Sequence, residues 1–197
     1  ADAIMSQHVG DMKNYEAWRH FDGVAAHLQR IFRAEPELLV HDLHPSCLTT
    51  QWAAAQGKPL LGVQHHHAHL ASVLAEHRYS GPAIGIMLDG SGYGTDRTVW
   101  GGEVLVGDAA GAVRFASLEQ MPLPGGDAAV RHVWRAALGF LHRSGAGPAG
   151  LPCAGQQGEE MVAELLGRGT GCAETSSCGR LFDAVASICG IRHEATY

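Results

Sequence analysis

Gly81-Pro82-Ala83-Ile84-Gly85-Ile86-Met87-Leu88-Asp89-Gly90-Ser91-Gly92-Tyr93-Gly94-Thr95-Asp96 marks a change of pattern in this 197-residue chain. Before it, apolar runs of helical and of strand period alternate. After it, short strand-like runs follow one another through tight turns. Within it, residues 83–88 read as an apolar strand and residues 89–96 as a glycine-rich turn.

Upstream, Trp18, Phe21, Val24, Ala25, Leu28, Ile31 and Phe32 recur near every 3.6 residues, which predicts an amphipathic helix over 14–33. Leu38-Leu39-Val40 reads as a short buried strand. His41, Asp42 and His44 follow at its carboxyl end, where ligands collect in open α/β sheets, although a turn before Pro45 explains Asp42 equally well. A helix over 49–56, a break at Gly57-Lys58-Pro59, a strand over 60–63 and a helix over 66–77 complete an α-β-α-β-α order. That order is the mark of a parallel sheet covered by helices.

Downstream, residues 103–106 and 113–118 flank the turn Asp108-Ala109-Ala110-Gly111 and, with residues 83–88, predict an antiparallel meander. Helices are expected over 128–142, 159–166 and 179–189, with a Gly- and Pro-rich loop over 144–158. Asp127 reads as the N-cap of the first of these helices. Trp134 and Phe140 read as core.

A meander joined to parallel strand–helix units predicts an α/β fold of the actin-like ATPase (ribonuclease H-like) class. Each of its two lobes opens with a meander and closes with such units. Residues 1–80 then read as the back half of a first lobe and residues 81–197 as the front half of a second. The chain, which starts Ala1-Asp2-Ala3 and stops at Tyr197, reads as a piece of something larger. Its strands at 38–40 and 60–63 would expose edges. That predicts self-association with strand exchange between copies, or stabilisation by further sequence.

Two segments carry chemistry. In Gln64-His65-His66-His67-Ala68-His69, a helix start would place His65 and His69 four apart on one face, the spacing that lets two imidazoles grip one ion. A solvated polar run is the plain alternative. In the 89–96 turn, glycines let the backbone approach a ligand and point N–H groups at phosphate oxygens. Asp89, at the strand end, suits a metal or metal-bound water. An ordinary hairpin also favours Asp and Gly but needs only about two such residues. The turn lacks the Gly-Lys-Ser/Thr of strand-to-helix nucleotidases and the dinucleotide fingerprint.

Composition excludes several classes. A net charge of −6 without a basic stripe argues against a nucleic-acid surface. No apolar run of membrane-spanning length and no secretory pattern is present. Cys47, Cys153, Cys172, Cys178 and Cys189 form no Cys-x-x-Cys pair and read as reduced thiols, which predicts a cytoplasmic protein.

Seven ordered motifs give a resemblance that spans essentially the whole chain. They are Met5-Ser6-Gln7-His8-Val9-Gly10-Asp11, His41-Asp42-Leu43-His44-Pro45, Val63-Gln64-His65-His66-His67-Ala68-His69, and Leu88-Asp89-Gly90-Ser91-Gly92-Tyr93-Gly94-Thr95-Asp96. Trp100-Gly101-Gly102-Glu103, Pro122-Leu123-Pro124-Gly125-Gly126-Asp127 and Thr175-Ser176-Ser177-Cys178-Gly179-Arg180-Leu181-Phe182-Asp183-Ala184-Val185 complete them. In this order they resemble the HypF carbamoyltransferases of [NiFe]-hydrogenase maturation, in the central part of a C-terminal domain related to the tRNA threonylcarbamoyl transferases.

The resemblance implies an enzyme that passes a carbamoyl group from carbamoyl adenylate to the C-terminal cysteine of a HypE-type partner, on the way to cyanide ligands. Carbamoyl phosphate and ATP would enter through the rest of the full-length chain, and this portion is expected to be inactive alone. Carried over, His65, His69 and Asp89 are expected metal ligands for zinc or iron, with a further aspartate ligand beyond this chain. Gly90, Ser91, Gly92, Tyr93, Gly94, Asp96, Gly179, Arg180 and Asp183 are expected nucleotide contacts, with Arg180 neutralising phosphate and Asp183 accepting from ribose hydroxyls. Cys178 is expected to pack at a helix start, since the attacking thiolate belongs to the partner. His66 and His67 read first as plain helix-start positions, with the alternative that one of them orients a ligand or meets substrate. Two other readings stay open: an O-carbamoyltransferase of antibiotic or nodulation-factor biosynthesis, and a non-catalytic metal- or partner-binding module.

Overall fold

The computed structural model describes residues 3–10, 12 and 14–195. Of the positions named above, Ala1, Asp2, Asp11 and Tyr197 lie outside the described residues. Contacts divide the chain into two units, residues 1–63 and 64–197.

In the first unit, α1 (Tyr15–Phe32) starts where the Asn14 side chain accepts from the Ala17 N–H at 2.8 Å. It ends at Arg33, whose φ of 48° is left-handed. β1 (Leu39–Asp42), α2 (Leu48–Ala55) and β2 (Leu60–Val63) follow. β1 and β2 pair in parallel, Leu39 opposite Leu60 and Asp42 opposite Val63. Phe21 meets Trp52 edge-on at 5.1 Å, and the Trp52 indole donates to Asp22. Ala53 is the sole buried residue among the described residues of this unit, while Val40, Leu60 and Leu61 stay exposed.

The second unit opens with α3 (His65–Glu76) and the expected meander of β3 (Ala83–Tyr93), β4 (Val99–Gly107) and β5 (Ala112–Ser117). β4 pairs antiparallel with both neighbours. Then come β6 (Met121–Pro124), α4 (Asp127–Arg131), α5 (Trp134–Arg143), α6 (Glu159–Arg168), β7 (Cys172–Thr175) and α7 (Cys178–Ile188). The sheet runs β3-β4-β7-β6, with β5 also on β4. Three apolar clusters hold it. Leu70 and Leu74 of α3 pack with Trp100 and Leu105 of β4. Leu123, Ala136, Ala137 and Ala184 join β6, α5 and α7. Trp134 and Leu138 meet Val162 and Leu166 of α6. The side of β3 bearing Ile84, Ile86 and Leu88 is open, each residue about 70% exposed. No helix among the described residues is long and apolar enough to cross a membrane.

Four expectations are corrected. The glycine-rich turn is shorter than its composition suggests, because Asp89–Tyr93 continue β3 past a bulge and pairing resumes at Gly92 with Trp100. The reversal itself is the tight 94–98 loop, closed by Gly94 N–H to the Thr98 carbonyl at 2.9 Å. The 128–142 helix is two helices, since His132 leaves helical backbone (φ −100°, ψ 84°). Gly126, at φ 54°, is the N-cap, and Asp127 is the first helical residue. β6 and β7 were not expected: Pro122 and Pro124 argue against a strand, but β6 is an edge that pairs only with β7, where proline is tolerated.

Candidate metal and nucleotide site

Gln64 caps α3 through its side-chain oxygen on the His67 N–H at 2.9 Å, which sets the phase of the helix that follows. From that start, His65 and His69 share one face and their Nε2 atoms stand 3.2 Å apart. β3 supplies Asp89 at the edge of the bulge, where ladder pairing lapses between Leu88 and Gly92. One carboxylate oxygen of Asp89 accepts from the Gly90 N–H at 2.6 Å. The other faces the helix, 3.2 Å from His65 Nε2, 3.5 Å from His66 Nε2 and 3.8 Å from His69 Nε2.

Ligand atoms of His65, His69 and Asp89 all lie within 4.8 Å of one another. Two imidazole nitrogens and a carboxylate are a donor set suited to zinc or ferrous iron. Asp89 Oδ2 is buried, without a hydrogen-bond partner, and directed at these nitrogens. A cation at that point would satisfy it, so the residues fit the metal that the resemblance implies.

His66 reads first as a plain helix-start position, and its burial is what the sequence reading missed. It is fully buried at the head of the α3 stripe that continues with Leu70 and Leu74, a 66-70-74 spacing visible in the sequence. Burial, aided by the neighbouring His65, holds its pKa below the ordinary histidine value and keeps the ring neutral. Its ring stacks near Trp100 with centroids 6.2 Å apart, and the Arg114 guanidinium lies 4.2 Å from the Trp100 ring. Arg114 joins buried Glu103 at 2.6 Å and Asp96 at 2.9 Å. Glu103 also accepts from the Gly101 and Gly102 N–H groups and from the Ser176 hydroxyl. His67 reaches the Asp108 carbonyl instead of the site.

The expected nucleotide contacts divide. Gly90, Ser91, Gly92 and Tyr93 lie on β3 beside Asp89. Gly179 lets α7 close on β3, because a Cβ there would lie 2.8 Å from the Gly90 Cα. The Ser177 hydroxyl ties the two by donating to the Gly90 carbonyl at 2.7 Å and accepting from the Arg180 N–H. Arg180 lies near Gly90 and pairs with Asp183 at 2.7 Å. Gly94 is buried under Trp100, whose Nε1 would lie 2.1 Å from a Cβ there, so packing requires this glycine. Asp96 is occupied by Thr98, Trp100 and Arg114. Asp183 is buried between Arg180 and Arg192. Both carboxylates thus face protein groups, where a ribose contact was expected of Asp183. Cys178 is buried as the first residue of α7, as expected of a packing residue.

Comparison with known proteins bears on the family and the fold. Residues 85–197 match the model of the carbamoyltransferase Kae1-like domain, second subdomain, and residues 1–76 match the HypF Kae1-like domain. The chain is 44% identical to carbamoyltransferase HypF2 of Cupriavidus necator, aligning all of itself with 25% of that protein. It is 42% identical to HypF of Rhizobium leguminosarum bv. viciae, over 97% of itself and 25% of that protein. A full-length HypF crystal structure in the phosphate- and nucleotide-bound form superposes with a TM-score of 0.92 at 39% identity, over 96% of this chain and 30% of that one. The chain spans about a quarter of the length of these two curated relatives. It belongs to the HypF carbamoyltransferase family, within the Kae1-like domain, and has the actin-like α/β fold of that domain.

Proposed function

We propose that this chain forms the metal- and nucleotide-binding part of a carbamoyltransferase that moves a carbamoyl group from carbamoyl adenylate to the C-terminal cysteine of a HypE-type acceptor protein. The observation that carries the proposal is the convergence of His65, His69 and Asp89 beside the Gly90–Gly179 contact. The phosphate- and nucleotide-bound relative of the same fold supports it. In the transfer, the acceptor thiolate forms a C–S bond to the carbamoyl carbon as the bond to the adenylate phosphate oxygen breaks, releasing AMP.

His65, His69 and Asp89 would hold a zinc or iron ion, which supplies Lewis acidity toward a phosphate or carbamoyl oxygen. The bare backbone at Gly90, where a Cβ would meet only Arg180 at 3.9 Å, leaves room for a phosphate to approach β3, whereas Gly92 packs against His65 and His66. Arg180, held by Asp183, supplies positive charge at the start of α7. No thiol of this chain is required as nucleophile.

Elemental analysis tests the site. Wild type should carry bound zinc or iron, and the His65→Ala/His69→Ala double variant should lose it. Equal metal content in both would sink the assignment. Transfer itself is to be assayed in the full-length enzyme with carbamoyl phosphate, ATP and a HypE-type C-terminal peptide.

A further inference from the structure

Gln64 does more than start α3. Its Oε1 accepts from the His67 backbone N–H, a group that only donates, so the other prong of the amide is Nε2. That Nε2 reaches the Tyr93 carbonyl, which only accepts, and the Nδ1 of His66, both at 3.1 Å. The amide orientation is fixed from two sides, and His66 Nδ1 must receive a hydrogen bond. A neutral imidazole with an accepting Nδ1 carries its proton on Nε2.

That Nε2 is buried without a hydrogen-bond partner and stands 3.5 Å from Asp89 Oδ2, which is buried and equally without one. The ring has little freedom to turn elsewhere. Trp100 flanks it, and a Cβ at Gly92 would lie 2.5 Å from its Cε1.

We propose that His66 is a positioning residue and not a ligand: Gln64 holds it in the Nε2–H tautomer, and that N–H aims the Asp89 carboxylate at the ion gripped by His65 and His69. This rests on the metal reading above. The adjacent histidines thereby divide the work, two presenting lone pairs and one presenting a proton. The Gly90 N–H holds Asp89 Oδ1, and the His66 N–H, 3.5 Å from Oδ2, would orient the other end. Partners that orient a ligand in this way are typically worth about 10–100-fold in metal affinity.

Nitrogen-15 NMR of the imidazoles in the metal-free chain reads the tautomer directly. The expected result is Nε2–H for His66; Nδ1–H, or an averaged pair, overturns the proposal. Zinc affinity by chelator competition reads the consequence. His66→Met should weaken zinc about 10–100-fold. His66→Gln, whose amide N–H reaches the Nε2 position, should recover most of that loss. Gln64→Glu keeps a cap for α3 but offers His66 Nδ1 an acceptor, so it should move the proton to Nδ1 and weaken zinc about as much as His66→Met. Wild-type affinity in either His66→Met or Gln64→Glu overturns the proposal, as does a zinc-induced shift of His66 Nε2 to that of a coordinated nitrogen. If His66→Met does not fold, Gln64→Glu and the wild-type spectrum decide. A wild-type chain that binds no zinc sinks the metal reading, a result distinct from the tautomer measured without metal.

Discussion

Asp96 sits in the 94–98 loop with its acceptor capacity engaged by the Thr98 N–H and hydroxyl, the Trp100 indole and the Arg114 guanidinium. Partial burial pushes its pKa up, but the bonds from Thr98 and Trp100 and the Arg114 charge outweigh that and hold it below the usual 3.8. A depressed carboxylate contributes stability that is full above its unfolded value and is lost as pH falls through the folded one. Urea unfolding across pH should therefore show Asp96→Asn less stable than wild type near neutrality, with the difference shrinking as pH falls from about 3.8 through the lower folded value. A difference that persists unchanged into acid would refute this account. At this scale the sequence was legible where spacing speaks, His65 and His69 standing four apart, whereas Asp89, read at a strand end, lies inside β3 at its bulge. It was silent where partners are distant in the chain. Nothing in 94–98 announces Arg114, and nothing beside His66 announces Asp89. Only the 66-70-74 stripe marks His66 as inward-facing, and the cluster of four histidines distracts from it.

A serine ties α7 to β3, beside the close Gly179–Gly90 packing. Ser177 caps the helix at the Arg180 N–H (3.1 Å) and donates to the Gly90 carbonyl (2.7 Å), while being almost wholly enclosed. Loss of an N-cap costs about 1 kcal/mol, and leaving the part-buried Gly90 carbonyl unmatched adds about 1–3 kcal/mol. Ser177→Ala should thus lower stability by roughly 2–4 kcal/mol in urea unfolding. Exposed Ser144→Ala, whose hydroxyl meets only the Leu141 carbonyl, should stay within about 0.5 kcal/mol. Equal effects would show that the α7–β3 tie carries no weight. The elements themselves were read well where periodicity is long, as in α1, α3 and the meander. They were misread where composition and topology disagree. Glycines in Asp89–Tyr93 suggested a turn, but cross-strand pairing with Val99 and Trp100 keeps them extended. Met121–Pro124, with its two prolines, does not read as a strand, but an edge position tolerates them. β7 is four residues without alternation, too short to signal itself.

Apolar burial is distributed unevenly over the molecule, and that sets an expectation for its dynamics. All three apolar clusters lie in residues 64–197, whereas the first unit buries only Ala53 among its described residues. Its sheet is a two-stranded parallel pair, an arrangement normally stable only when both faces are covered. Local opening free energy follows buried contact density. Hydrogen exchange should therefore be fast in α1, β1 and β2 and slowest in β4, α5 and α7. Zinc adds a second contrast. A ligand that binds only the folded site stabilises it by mass action, so added zinc should raise protection in α3 and around Asp89 in β3 while leaving α1 unchanged. Protection in β1 and β2 that rises with protein concentration would report strand pairing between copies, as the exposed Val40, Leu60 and Leu61 lead one to expect. Uniform protection along the chain at low concentration, or a zinc effect spread evenly over both units, would contradict this distribution of stability.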